Sequence, residues 1–258
     1  MIDALYIGAT GMHAQQQNVD VIANNLANVN TSGFKKNRVL FQDAYYRAQQ
    51  LSPTGGDINQ TILLGMGTLI ASNNKSFLQG DVKATESPLD LAIRGNGFFE
   101  VLLPDGTSAY TRHGALKVNE NGVLATVSGY ELKQQIEIPA DSLEVVIDQS
   151  GKVSSRSPKD NTLVEIGQLE LTSFANNEGL KPLGDNLFMV TDTAGQLTIN
   201  KPGEDGLGTL AQSYLEGSNV KLSEEMVNLV LAQRAYELSA KVIQASDEML
   251  SISNSLRR

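Results

Sequence analysis

Asp81, Glu86, Asp90, Glu100 and Asp105 cluster along the chain. A pair of such carboxylates could act as acid and base on a glycosidic bond, but the sequence fixes no distance between them. Ser32 with Lys35 and Ser72 with Lys75 match the Ser-x-x-Lys spacing of an activated serine, without the companion motifs of that chemistry. Gly95-Asn96-Gly97 opens like a dinucleotide loop. Position 100, however, is Glu100, and a strand is expected where a helix N-terminus would have to meet the phosphate. His13 and His113 are lone imidazoles with no third ligand to complete a zinc site. The expectation is no catalytic residue, no cofactor and no metal, with these groups serving as polar loop, surface or packing residues.

Composition narrows the classes further. Cysteine is absent, which removes thiolate metal sites, Cys nucleophiles and disulfides together. Of 258 residues, 29 are Asp or Glu and 20 are Lys or Arg, for a net charge of −9. That balance disfavours nucleic acid and anionic lipid as partners. Hydrophobic residues make up 41%, enough for a core that must rest on Leu, Ile, Val and Ala. Asp3 stands where a secretory signal would be basic, and Gly8, Gly11 and Gln15 to Gln17 interrupt any apolar run. Neither a cleavable signal nor a membrane span is expected.

The elements that must position any site lie at the two ends. Leu5, Met12, Val19 and Leu26 recur every seventh residue, flanked by the weak row Ile2, Ala9, Gln16 and Ala23, with Ile22 and Val29 widening the stripe. Asn24, Asn25, Asn28 and Asn30, then Thr31, Ser32 and Gly33, are helix-stop chemistry. Leu222, Leu229, Tyr236, Ile243 and Leu250 repeat the spacing, beside Met226, Gln233, Ala240, Asp247 and Asn254. Such narrow seams suit either amphipathic helices laid over a sheet or terminal helices paired with each other.

Between them, residues 89–199 show short β-branched and aromatic runs broken by turns such as Pro104-Asp105-Gly106. Residues 47–75, with Pro53, Gly55, Gly56, Gly65 and Gly67, read as an extended connector, and 201–208 as a second. The expected fold is α+β: long N- and C-terminal helices, extended connectors and a central all-β domain. The boundaries are 1–32 and 218–258 for the helical assembly domain, 33–75 and 201–217 for the connectors, and 76–200 for the β-rich outer domain. A lone helical hairpin with such narrow seams gains little against the backbone entropy of ordering about sixty residues. The missing burial is therefore expected from other copies. A head-to-tail contact between copies builds a ring or an open helical tube.

Asn24-Asn25-Leu26-Ala27-Asn28-Val29-Asn30-Thr31-Ser32-Gly33-Phe34-Lys35-Lys36 resembles the N-terminal signature of bacterial flagellar rod and hook proteins. Ser218-Asn219-Val220, Glu224-Glu225-Met226-Val227-Asn228 and Gln233-Arg234-Ala235-Tyr236-Glu237 resemble the family's C-terminal signature. The likeness continues at Ile93 to Phe99, Leu103 to Thr107, Tyr110-Thr111-Arg112 and Gly184 to Leu187. Chain length, Phe41-Gln42-Asp43 and the glycine-bearing connector are most similar to the distal-rod branch.

The resemblance implies a structural subunit that assembles with copies of itself into a hollow, torque-transmitting shaft, lined by the N- and C-terminal helices paired as a coiled coil. It implies type III export without signal cleavage and a place in the basal body, across the periplasm. The implied partners are further copies in an open helical tube, proximal-rod proteins, the hook protein and, in diderm bacteria, the peptidoglycan and outer-membrane rings. No nucleic acid or small-molecule substrate is implied. The assembly interface would then comprise Leu5, Met12, Val19, Ile22 and Leu26 with Asn24, Asn25 and Asn28, and Leu222, Met226, Leu229, Tyr236, Ile243 and Leu250. Residues 47–70 are expected to stiffen the shaft. The alternative within the family is another rod or hook paralogue, and the rival class is an exported glycan-binding or glycan-hydrolysing protein, which the absence of a convergent His, Cys or Asp/Glu motif disfavours.

Overall fold

A computed structural model describes residues 2–51, 60–157 and 162–256. Pro53, Gly55 and Gly56 of the expected connector lie outside the described residues. The chain divides into two compact units. The helical unit comprises Met1–Ala27, Asn37–Lys75 and Lys221–Arg258, and the β unit comprises Asn28–Lys36 and Ser76–Val220.

In the helical unit, α1 (Ile2–Ala27) and α2 (Leu222–Ser255) form where the seven-residue rows place them. They run antiparallel. A Cβ on Gly8 would come within 2.7 Å of Ile243, and one on Gly11 within 3.3 Å of the Ser239 hydroxyl. Farther along α1, Asn25 meets Glu225 near the start of α2. A glycine inside a helix costs about 1 kcal/mol relative to alanine. Here the missing side chains let a second backbone approach.

Leu229, Ile243 and Leu250 are half-buried, as the seam predicts, but the companion row differs from the expected one. Glu225, Ala232 and Ser246 are buried, whereas Met226, Gln233, Asp247 and Asn254 are exposed. Apart from Glu225, whose carboxylate meets Asn25, the companion row is small, because close approach of α1 leaves no room for large side chains there.

The segment expected to be a connector is extended, and its strands pair with each other. Strand β1 (Asn37–Asp43) runs antiparallel to β4 (Thr68–Lys75), and β2 (Tyr46–Leu51) to β3 (Gln60–Gly65). Gly67, before β4, has φ +102, and a Cβ there would collide with the Thr10 hydroxyl of α1. Glycine meets both the left-handed backbone and the close approach.

The β unit is built on a seven-stranded antiparallel sheet. Its order is Lys181–Gly184, Leu187–Met189, Ser108–Thr111, Phe99–Leu102, Glu131–Leu132, Leu124–Thr126 and Leu116–Val118. Strand alternation sends Phe99 and Val101 to one face and Glu100 to the other. The first face joins Leu124, Leu132, Val153 and Leu171 in the main core. Phe98, Tyr110, Phe174 and Phe188 form a second cluster, in which Tyr110 and Phe174 meet edge to face at 4.9 Å.

The expected turn is present. Asp105 accepts the Thr107 N–H at 2.9 Å and hydroxyl at 2.6 Å, and Gly106 takes φ +79. Those two bonds hold the Asp105 carboxyl below its usual pKa. Strand content extends past residue 199, because Thr209–Gln212 pairs with Leu91–Arg94, and Tyr214–Glu216 with Val82–Ala84. The fold is α+β, helical at both ends and strand-rich between.

Candidate functional site

The helix-stop asparagines do different work from one another. Asn25, 2% exposed, sits on the last buried turn of α1. Its Oδ1 accepts the Asn37 N–H at 2.8 Å, and its Nδ2 donates to the Asn37 carbonyl at 2.9 Å and to Glu225 Oε2 at 3.3 Å. One amide thus supplies β1 with a ladder-like partner and ties the end of α1 to the start of α2. Asn24 is exposed, and Asn28, the first residue of the β unit, accepts the Thr31 hydroxyl. The Asn25 amide, expected at the contact between copies, is used within the chain.

The other expected interface residues separate by exposure. Ile22 is buried, and Leu5, Met12, Val19 and Leu26 are half-buried. Leu222, Met226 and Tyr236 are exposed. A flank of α2 turned away from α1 carries a second apolar row that the seam analysis missed. Val227, Leu231, Leu238, Met249 and Ile252 are each 51 to 62% exposed. In the same unit, Ala9, His13 and Gln17 of α1 and Thr68 and Ile70 of β4 line a groove of about 420 Å³.

The β unit holds an ion cluster that sequence reasoning did not foresee. Glu216 is 1% exposed. Its Oε1 accepts the Lys35 ammonium at 2.6 Å and the Gly80 N–H at 2.9 Å, and its Oε2 accepts Arg112 Nε at 2.8 Å. Lys35 also donates to the Leu78 carbonyl at 2.7 Å, and Arg112 to the Gly97 and Gly95 carbonyls at 3.0 and 2.9 Å.

The apparent dinucleotide loop is therefore a cradle for a guanidinium. Gly95 and Gly97, at φ +114 and +133, turn carbonyls toward Arg112 where a phosphate loop would turn amides. Burial first, and the Arg112 charge second, push the Lys35 ammonium down to about 8, against the pull of Glu216. With its ammonium bonded to a carboxylate and a carbonyl in a buried position, Lys35 is not a polar loop residue, nor is it placed to activate Ser32.

The remaining candidates are dispersed. Asp81, Glu86 and Asp105 are exposed, whereas Glu100 is buried and bonded to Lys133 at 2.7 Å and to the Tyr110 hydroxyl. Burial, then the Glu100 charge and its hydrogen bond, push Tyr110 up to about 12. His13 is exposed in the groove, and burial lowers the pKa of His113. Lys35, Arg112, Asn219 and Glu225 all lie inside the segments that carry the family likeness. Their types were visible, but their pairing across nearly the whole chain was not.

Comparison with known proteins matches those segments. The N-terminal residues 5–35 match the family described as flagella basal body rod protein. Residues 92–155 match the flagellar hook protein FlgE/F/G D1 domain, and 211–256 the flagellar basal body rod FlgEFG protein C-terminal region. The flagellar basal-body rod protein FlgG of Borreliella burgdorferi is 45% identical, with both chains covered in full. The FlgG of Caulobacter vibrioides is 42% identical over 99% of this chain and all of its own length. That of Bacillus subtilis is 37% identical over the full length of both.

Proposed function

From the premise that this chain belongs to the flagellar basal-body rod and hook family and is a structural rod subunit, we propose that it builds the distal rod. Copies stack head to tail into an open helical tube, with α1 and α2 paired as a coiled coil along its inner wall. The observation that carries this reading is the second apolar row of α2. Val227, Leu231, Leu238, Met249 and Ile252 lie exposed along one helix flank, and contiguous apolar surface of this kind marks a protein interface. Leu222, Met226 and Tyr236 present further exposed apolar surface elsewhere on α2, while Leu229, Ile243 and Leu250 hold the pair within each subunit.

Charge supports the same arrangement. The β unit carries twenty acidic and twelve basic residues, a formal −8, whereas the helical unit carries nine and eight, a formal −1. Near-neutral helical units pack against one another with little repulsion, and strongly acidic β units favour the solvated outer surface. The neighbours would be proximal-rod and hook proteins and, in diderm bacteria, the peptidoglycan and outer-membrane rings. Export would proceed without signal cleavage, to a rod that spans the periplasm.

Leu238→Asp tests the interface. Leu238 is 62% exposed, so the subunit is expected to fold and melt as wild type. Burying an unpaired carboxylate at each contact is expected to weaken polymerisation at least about a hundredfold. Sedimentation of purified subunits and electron microscopy of basal bodies read the outcome, and normal polymers would remove this reading. Residues 47–70 supply shaft stiffness in the same proposal. Their deletion should yield tubes with a shorter persistence length, and an unchanged persistence length would reject that role.

A further inference from the structure

The chain passes between its two units at four peptide bonds, and Asn219 lies beside one of them and hydrogen-bonds to the chain beside two more. These are Lys36–Asn37, Lys75–Ser76 and Val220–Lys221. Within the β unit, Asn219 Oδ1 accepts the Lys36 N–H at 2.8 Å. Its Nδ2 donates to the Ser76 carbonyl at 2.7 Å and the Leu78 carbonyl at 3.0 Å. Its own N–H reaches the Phe34 carbonyl at 3.4 Å, and the Ser76 N–H closes the set on the Lys36 carbonyl at 2.9 Å.

A side-chain amide offers an acceptor and two donors from one planar group, and all three are used. The partners sit far apart in sequence, so no local turn explains the residue. They also lie toward the surface, where a core packing role is not needed.

We infer that Asn219 is a positioning residue for force transmission: its amide ties three chain segments of the β unit to one root. A twist carried by the helical segments then enters the β unit through backbones held together, not through separately mobile linkers. The purpose rests on the rod-subunit reading, whereas the geometry does not.

Limited trypsin digestion of the dilute full-length monomer tests it independently of assembly, because Lys36, Lys75 and Lys221 each place a cleavable bond beside the root. Asn219→Ala is expected to speed cleavage at all three about tenfold, the equivalent of one or two hydrogen bonds. Asn219→Asp keeps the acceptor for the Lys36 N–H and loses the donors, so cleavage should accelerate after Lys75 and remain slow after Lys36. Val153→Ala, a core truncation at a fully buried site, serves as the comparison for general loosening.

Identical rates for Asn219→Ala and wild type at the three bonds would overturn the inference. So would a uniform rise at every lysine like that of Val153→Ala, or an Asp variant indistinguishable from the Ala variant. None of these outcomes bears on whether subunits polymerise.

Discussion

Glu216→Ala is expected to lower the stability of the β unit by about 3 to 5 kcal/mol, the cost typical of removing one partner from a buried ion pair. The carboxylate is 1% exposed and stands between two cations, with Lys35 fully buried and Arg112 4% exposed. Its loss leaves two positive charges facing each other with nothing between them. Lys35 keeps the Leu78 carbonyl and Arg112 the Gly95 and Gly97 carbonyls, so the hydrogen bonds are partly retained. The charge imbalance persists as long as Lys35 holds its proton. The Gly80 N–H loses its acceptor as well.

Glu216→Gln should fall between wild type and Glu216→Ala, because an amide oxygen can still accept while the charge is gone. Urea unfolding followed by tyrosine fluorescence reads the effect cleanly, since the chain has no tryptophan. A loss below about 1 kcal/mol, the range of exposed ion pairs, would mean that water reaches the cluster.

Lys35 follows Thr31, Ser32 and Gly33 and precedes Lys36, a context that looks like a solvated helix end. Only the fold brings Glu216 to it, and single-sequence patterns carry no information on such pairings. Periodicity did show both long helices, because Leu222, Leu229, Tyr236, Ile243 and Leu250 keep a strict spacing.

It misplaced the companion row because Ala232, Ser239 and Ser246 have no hydrophobic signal. Their use is to be small: Ser239 lies against Gly8 and Gly11, and Ala232 and Ser246 are buried one heptad to either side. The β1–β4 and β2–β3 ladders were hidden for a related reason. Their strands contain Gln, Asn and Thr in place of alternating apolar residues, so pairing rests on register and on Gly67 meeting α1. The signature segments showed the family plainly, while the roles of Asn25 and Asn219 within them needed coordinates.

The same cluster fixes how stability responds to alkali. Lys35 titrates near 8 in the folded chain and near 10.5 when unfolded. Between those values the unfolded state holds the extra proton, so the stability of the β unit must rise with pH. The shift corresponds to about 3 kcal/mol at most across the full window. Raising the pH does not open the cluster, because it removes the surplus cation and leaves Arg112 paired with Glu216.

Tyr110 acts in the opposite sense. Folding raises its pKa from 10.0 to about 12, so above 10 the unfolded state loses its proton first and stability falls. The expected profile climbs from pH 8, peaks near 10 and then declines. Lys35→Met should remove the climb and Tyr110→Phe the decline. Lys75, whose pKa burial also lowers, adds to the climb in the helical unit, so the comparison of wild type with Lys35→Met isolates the cluster. Urea midpoints at half-unit steps from pH 7 to 11 would show it. A wild-type profile that is flat or falling from 8 to 10 would mean that attraction to Glu216 outweighs burial and that Lys35 stays charged. The climb would also shrink the Glu216→Ala defect at pH 10, where a neutral Lys35 no longer opposes Arg112.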